Sequence, residues 1–311
     1  MRDVVLLVDA MNLFIRHFVV NPTVSNNGAH VGGFVGFLGA IRLLSEKFFP
    51  KKIYIIWEGG GSPRRRKIFP DYKKGRRPQR LNRNNDLPDT VSNHDMQIML
   101  TIEALRHVPV TQVYVGDCEA DDVIGYLVKY KLRDERCVIA SSDRDLYQLL
   151  APNVNQWSLG QKTLITPDAV IQKFGVSSNN FCVTRCFVGD SSDGIPGVDR
   201  AGFKTMSRYF SRLREQEDVS VDDIVDEAQK RAGKTALFEN IVRDAELARR
   251  NWSLMFLDTS NLSASQIQKI NDSFESEHSN RNKLALIRLL LREGIQTFDV
   301  DTFYMSLKNL G

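Results

Sequence analysis

Seven carboxylates fall in three short clusters: Glu119-Ala120-Asp121-Asp122, Ser142-Asp143-Arg144-Asp145 and Gly189-Asp190-Ser191-Ser192-Asp193. Two further acids close apolar runs, Asp9 after Val4 to Val8 and Glu58 after Ile53 to Trp57. If the strands are parallel neighbours, their carboxyl ends share one rim and the acids converge there. Converged carboxylates repel one another, which raises their pKa values or destabilises the fold unless a counter-charge is present. Oxygen-only ligands suit a hard cation, magnesium or manganese rather than zinc. Two such ions about 4 Å apart can activate a water and stabilise the leaving oxygen of a phosphodiester. A single Asp-x-Asp is more often a solvated turn or helix cap, but five acid-bearing segments in one frame point to a metal centre.

The elements that must position these acids follow from the pattern of the first 150 residues. Apolar runs at Val4 to Val8, Ile53 to Trp57, Val110 to Val115 and Cys137 to Ala140 alternate with helical patterns near Gly33 to Lys47, Asp95 to Arg106 and Glu119 to Lys131, with a short helix from about Asp143. That alternation predicts a Rossmann-like sandwich, a parallel sheet flanked by helices. Glu58-Gly59-Gly60-Gly61 is not a dinucleotide fingerprint, and it runs into arginines rather than an apolar helix. Gly32, Gly33, Gly36 and Gly39, three or four apart, read as close helix packing. Beyond residue 160 the chain turns helical, with Thr166-Pro167 as cap and first helical residue.

Bulk properties bound the class. A chain of 311 residues buries a substantial core without covalent staples, and its net charge is only +4. No apolar stretch approaches a membrane span and no signal-peptide layout opens the sequence, so a cytoplasmic location is expected. Cys118, Cys137, Cys182 and Cys186 lack zinc-site spacing and are expected to be reduced. The distribution of charge says more than its sum. Arg64, Arg65, Arg66, Lys67, Lys73, Lys74, Arg76, Arg77, Arg80 and Arg83 crowd one segment in which Asp71 is the only acid. Interleaved with Ile68, Phe69 and Tyr72, they offer the charge and stacking surface that single strands use. In the helical half, Gly194-Ile195-Pro196-Gly197 ahead of Ala201-Gly202-Phe203-Lys204-Thr205 presents backbone N–H groups able to hold a phosphate without reading a base.

Taken in order, these motifs resemble the structure-specific 5′-nuclease family: flap endonucleases, phage 5′-3′ exonucleases and the 5′-nuclease domain of bacterial DNA polymerase I. The resemblance runs from Val4 to about Asp258 and is nearest to stand-alone phage or bacterial members. It rests on Glu119-Ala120-Asp121-Asp122-Val123-Ile124-Gly125, Ser141-Ser142-Asp143-Arg144-Asp145 and Gly189 to Val198. It implies a PIN-like, mostly parallel sheet flanked by helices, a basic helical arch over about 59–95 within a nuclease core of residues 1–165, and a helical part over 166–311 with a helix-three-turn-helix over about 180–213. It further implies that Asp9, Glu58, Glu119, Asp121, Asp122, Asp143, Asp145, Asp190 and Asp193 hold two magnesium ions, for which manganese can substitute. Lys73 and Arg76 would stand at the foot of the arch and act on the scissile phosphate. Arg16, Arg64, Arg65, Arg66, Lys67, Tyr72, Lys74, Arg77, Gly197, Gly202, Lys204 and Thr205 would contact nucleic acid, and a potassium ion is implied at the helix-three-turn-helix. Three positions depart from the family pattern: Glu58 for aspartate, Gly194 for asparagine and Arg200 for glycine.

The implied activity is metal-dependent hydrolysis of phosphodiesters in DNA and RNA primers at 5′ ends and flap junctions, including RNA–DNA hybrids, by a monomer serving replication or repair. Replication proteins are expected partners through the C-terminal segment, though core packing is the plainer reading of Phe298, Phe303, Tyr304 and Met305. The alternatives are a PIN-like single-strand RNase and a junction-binding protein with a weakened site.

Overall fold

The computed structural model describes residues 3–74, 91–276 and 281–310. Six strands form one sheet: β1 (Val4–Asp9), β2 (Lys52–Trp57), β3 (Thr111–Tyr114), β4 (Arg136–Ala140), β5 (Val154–Ser158) and β6 (Thr163–Ile165), in the order β3-β2-β1-β4-β5-β6. All pairs are parallel except β5 with β6. The uninterrupted apolar run of β1 suits a central strand covered on both faces, and all six of its residues are buried. From β1 the chain steps outward to β2 and β3, then returns to lay β4 on the other side of β1. The order therefore reverses between β1 and β4, and ligands of open α/β sheets bind outside the strand ends at such a switch point.

Successive side chains of the central strands face opposite cores. Val5, Leu7, Tyr54, Ile56, Cys137 and Ile139 join one, and Val4, Leu6, Val8, Ile53, Ile55, Val138 and Ala140 the other. The second core is covered by α1 (Ala10–Val20) and α2 (Gly32–Phe48), with α4 (Val91–Leu105) following the short α3 (Pro63–Ile68). Glycines let α1 and α2 meet closely: a Cβ on Gly36 would stand 2.7 Å from the His17 ring. The first core is covered by α5 (Ala120–Tyr126), α6 (Pro167–Phe174), α7 (Phe181–Val188), α8 (Phe203–Tyr209), α9 (Val221–Lys230), α10 (Ala236–Arg243), α11 (Ala245–Met255) and α12 (Ala264–Glu275). These helices share their core with the sheet. The last two, α13 (Lys283–Arg292) and α14 (Val300–Ser306), return to the α1–α2 face, where Leu286, Leu289, Phe303, Leu307 and Leu310 are buried beside Leu6 and Leu38.

Several elements differ from the sequence expectation. β5 and β6 were not foreseen, because two of the three buried residues of β5 are Gln156 and Ser158, so its polar pattern hides a strand. The helix expected over Glu119 to Lys131 ends at Tyr126 and continues as a π-turn over Leu127–Lys131. The helix expected from Asp143 is a 3-10 turn over Asp145–Leu149. Inside the segment where the pattern fails, Ser62 caps α3 by accepting from Arg65 N, with Pro63 at the first position. All four cysteines are free and buried. Among the described residues, no helix is long and apolar enough to cross a membrane.

Candidate metal centre

Each acid reaches the rim from a different element. Asp9 ends β1 and caps α1: Oδ1 accepts from Asn12 N at 3.1 Å, and Oδ2 from the Ser141 hydroxyl at 2.8 Å. Glu58 follows β2 and accepts from Ala120 N at 3.2 Å. Glu119 caps α5, with Asp121 in its first turn. The loop after β4 folds on itself, since Asp143 N donates to Ser141 Oγ and Asp145 N to Asp143 Oδ1. Gln156 of β5 braces that loop by donating to Ser141 O and Asp143 O. The turn after α7 supplies Asp190 and Asp193. Gly189 permits it with a φ of 79°, and a Cβ there would meet Gly197 N at 2.4 Å. Asp190 Oδ1 accepts from the Ser192 amide and hydroxyl.

The rim carries more negative charge than its neighbours neutralise. Burial pushes Asp9 up to about 7, helped by the charges of Asp143 and Glu58 and opposed by its two hydrogen bonds. Burial likewise pushes Asp145 up to about 7, with Asp143, Asp190 and Asp193 adding to it and Arg185 opposing. Asp121 rises well above its ordinary value through burial, then through Asp143 and Asp9. Glu58 is raised by burial and by Glu119. For Glu119 burial is outweighed by Lys73 and Arg65, which hold it below the ordinary range. Lys73 Nζ stands 2.8 Å from Glu119 Oε1 and 3.9 Å from Asp193 Oδ2.

This donor set fits a hard cation. Asp145, Asp190 and Asp193 each offer a carboxylate oxygen within 4.8 Å of the others. Asp145 Oδ1 is buried without an aligned hydrogen-bond donor. The oxygens present therefore suit a divalent ion such as magnesium or manganese.

Two groups of expected site residues are engaged within the protein. The Asp122 carboxylate is taken up by other partners: the Arg65 guanidinium donates to it at 2.6 and 2.7 Å, Asn261 at 3.2 Å and Glu119 N at 3.3 Å. Arg65, expected on nucleic acid, is 2 % exposed and also donates to Leu254 O and Glu119. A guanidinium that satisfies two buried carboxylates and a helix-end carbonyl has no face left for phosphate. Arg64 is likewise engaged, with Asn261 and Ser253 O. Tyr72 is buried and donates to Glu119 Oε2 at 3.0 Å, while Ile68 and Phe69 pack on the core, so the expected stacking surface turns inward. Arg66, Lys67 and Lys74 are exposed, as are Arg16, Gly197, Gly202 and Lys204, with Thr205 half-buried. Arg76, Arg77, Arg80 and Arg83 lie outside the described residues.

Reading the sequence missed three residues. Ser141 links Asp9 to the Asp143 loop, Asn12 accepts from Ser142 N, and Arg185 pairs with Asp145 and Asp190. The signal for Arg185 was present, since it is the one charged residue of α7 and stands five before Asp190. Arg200 has φ of 67° and Gly194 of 72°. Both are left-handed positions, which accounts for glycine or asparagine there in the pattern this chain departs from.

The family match covers the sheet and the acids from Asp9 to Asp145. A family model described as the 5′-3′ exonuclease N-terminal, resolvase-like domain matches residues 4–175. The flap endonuclease Xni of Shewanella piezotolerans is 32% identical over 211 residues, covering 67% of this chain and 76% of that protein. A 5′-3′ exonuclease of Buchnera aphidicola is 29% identical over 219 residues, covering 68% and 72%. Among solved structures, a bacteriophage T5 flap endonuclease in a pseudo-enzyme-product complex with DNA and metal ions shares the fold, with a TM-score of 0.70 at 20% identity over 88% of this chain and 98% of that one. With its acids gathered at the switch point of a matching sheet, the chain belongs to the 5′-3′ exonuclease family of nucleases.

Proposed function

We propose that this nuclease hydrolyses phosphodiesters at the 5′ ends of duplexes and at the base of 5′ flaps in DNA, and in RNA primers paired to DNA, with magnesium as its ion. The observation that carries the reading is the convergence of acids from β1, β2, α5, the β4 loop and the Asp190 turn on one switch point, where they outnumber the two cations beside them, Lys73 and Arg185. Divalent ions bound there supply a water nucleophile at neutral pH and stabilise charge on the leaving oxygen. Asp9, Asp121 and Asp143 would hold one position, and Asp145, Asp190 and Asp193 the other, with Glu119 and Glu58 behind them. Asn12 and Ser141 fix Asp9 in orientation. Lys73, held between Glu119 and Asp193, is placed to move onto a scissile phosphate and polarise it, with Arg76 beside it in sequence. Exposed Arg16, Arg66, Lys67, Lys74 and Lys204 would neutralise backbone phosphates, a grip that reads shape rather than bases.

The test is a 5′-labelled flap duplex incubated with magnesium or with chelator, beside a single-stranded RNA of the same length. Magnesium-dependent release of the labelled flap with a 3′-hydroxyl, leaving a 5′-phosphate on the duplex, is the expected result, and Asp143→Ala abolishes it. Absence of cleavage by the wild type, or equal cleavage by the variant, overturns the reading. Preference for the single-stranded RNA would favour a PIN-like RNase instead.

A further inference from the structure

We propose that Arg185 is a resident cation of the Asp145, Asp190 and Asp193 trio, and that a divalent ion enters this half of the site only by displacing its guanidinium. The inference deepens the metal-centre reading and rests on it. Arg185 is the single charged residue of α7, whose other residues include the fully buried Phe181 and Phe187. Its side chain is 12% exposed; Nη2 donates to Asp190 Oδ2 at 2.5 Å, and Nε lies 2.6 Å from Asp145 Oδ1.

The two halves of the rim differ in this respect. Among the described residues, no ion pair reaches Asp9, Asp121 or Asp143, whereas the second trio already holds a cation. An ion arriving at the first half meets carboxylates with no described ion pair to break, Lys73 acting on Asp121 only from a distance. An ion arriving at the second must break a charge-assisted pair and approach a like charge.

The geometry also makes the guanidinium displaceable. Its contact with Asp145 is close but unaligned: Asp145 Oδ1 and Arg185 Nε are both buried without a formed hydrogen bond. Only the Asp190 contact is aligned. Arg185 further lines a cleft of ≈ 570 Å³ with Ser142, Arg144, Ser192 and Phe203, which gives the side chain room once released. Arg185 is thus a positioning residue that makes the second ion weaker than the first and conditional on rearrangement.

The experiment is a manganese titration of the full chain without nucleic acid, followed by calorimetry and by electron paramagnetic resonance of free manganese. Wild type is expected to bind in two steps separated by at least about tenfold, the weakening that a broken pair and a repelling charge impose. In Arg185→Met the second step tightens by about tenfold while the first stays put. Arg185→Lys, which keeps the charge, retains a weak second step. A second step unmoved in Arg185→Met, or both steps weakened together in a folded variant, overturns the proposal. Arg185→Gln carries the same test if the methionine variant fails to fold by circular dichroism. Failure of wild type to bind manganese at all would instead sink the metal-centre reading, and the flap assay reports on cleavage separately.

Discussion

At the scale of single residues, neighbouring acids of one motif do different work. Asp121 faces the crowded rim, while Asp122, one residue on, is clamped by Arg65 in a buried pair. Asp122→Asn is therefore expected to cost stability, about 3 kcal/mol for a broken buried pair, and to leave manganese affinity unchanged. Asp121→Asn is expected to weaken manganese binding and to raise the stability of the metal-free protein by removing repulsion. Denaturant melts and calorimetry on both variants check this, and a loss of manganese binding in Asp122→Asn would return it to the ligand set. A pH dependence also belongs to this scale. Asp9 and Asp145 titrate near 7 in the folded chain against 3.8 when unperturbed. Between those values the folded state holds protons that the unfolded state has released, so metal-free stability falls as pH rises through the window. Glu119 and Asp190, whose pKa values are lowered from 4.5 and 3.8, act in the opposite sense only at the acid edge of this window and below it. Melts in chelator should thus show a lower Tm at about pH 7.5 than at about pH 5.5, and manganese should reverse the order. A metal-free Tm that climbs with pH across this interval would contradict the charge surplus.

At the scale of elements, turns and caps carry the acids. The α5 cap holds Glu119, the β4 loop is braced by Gln156, and the turn after α7 depends on Gly189 packing against Gly197. Gly189→Ala is expected to displace Asp190 and Asp193, abolishing nuclease activity while circular dichroism keeps its helical signal; full activity would show that this turn tolerates a side chain. Arg200 holds a left-handed conformation with an exposed side chain whose nearest ion pair is its own neighbour Asp199 at 3.7 Å. Arg200→Gly should accordingly be neutral to stabilising, by up to about 1 kcal/mol. The apolar strands and capped helices of these elements were legible beforehand. β5 was not, since Gln156 and Ser158 are buried by tertiary hydrogen bonding and packing rather than by apolarity.

At the scale of the whole molecule, one sheet with a core on each face ties the helical half and the tail to the nuclease site. Helices α6 to α12 share their core with the sheet face, and α13 and α14 close the other face. The apolar tail residues thus have a structural use: Phe303, Leu307 and Leu310 are buried, while Met305 is exposed. Deleting residues 296–311 removes these three side chains, each worth about 1.5–3 kcal/mol of burial. The sum approaches the whole stability of an ordinary domain. The truncated chain should lose its cooperative thermal transition, and a melt like that of the full chain would show the tail to be peripheral.

The sequence by itself determined the kinds of atoms available and where along the chain they stand. Apolar runs ended by acids set strands β1 and β2 with carboxylates at their tips, and oxygen-only chemistry restricted the cation to a hard one. Tertiary structure alone decided which charges meet. The basic segment reads as one cationic surface until the fold turns Arg65 inward to Asp122 and leaves Arg66 and Lys67 in solvent. Arg185 reads as an oddity of an apolar helix until α7 lays it against Asp145 and Asp190. Burial and pairing depend on distances between segments far apart in the chain, and those distances exist only once the sheet has brought the segments together.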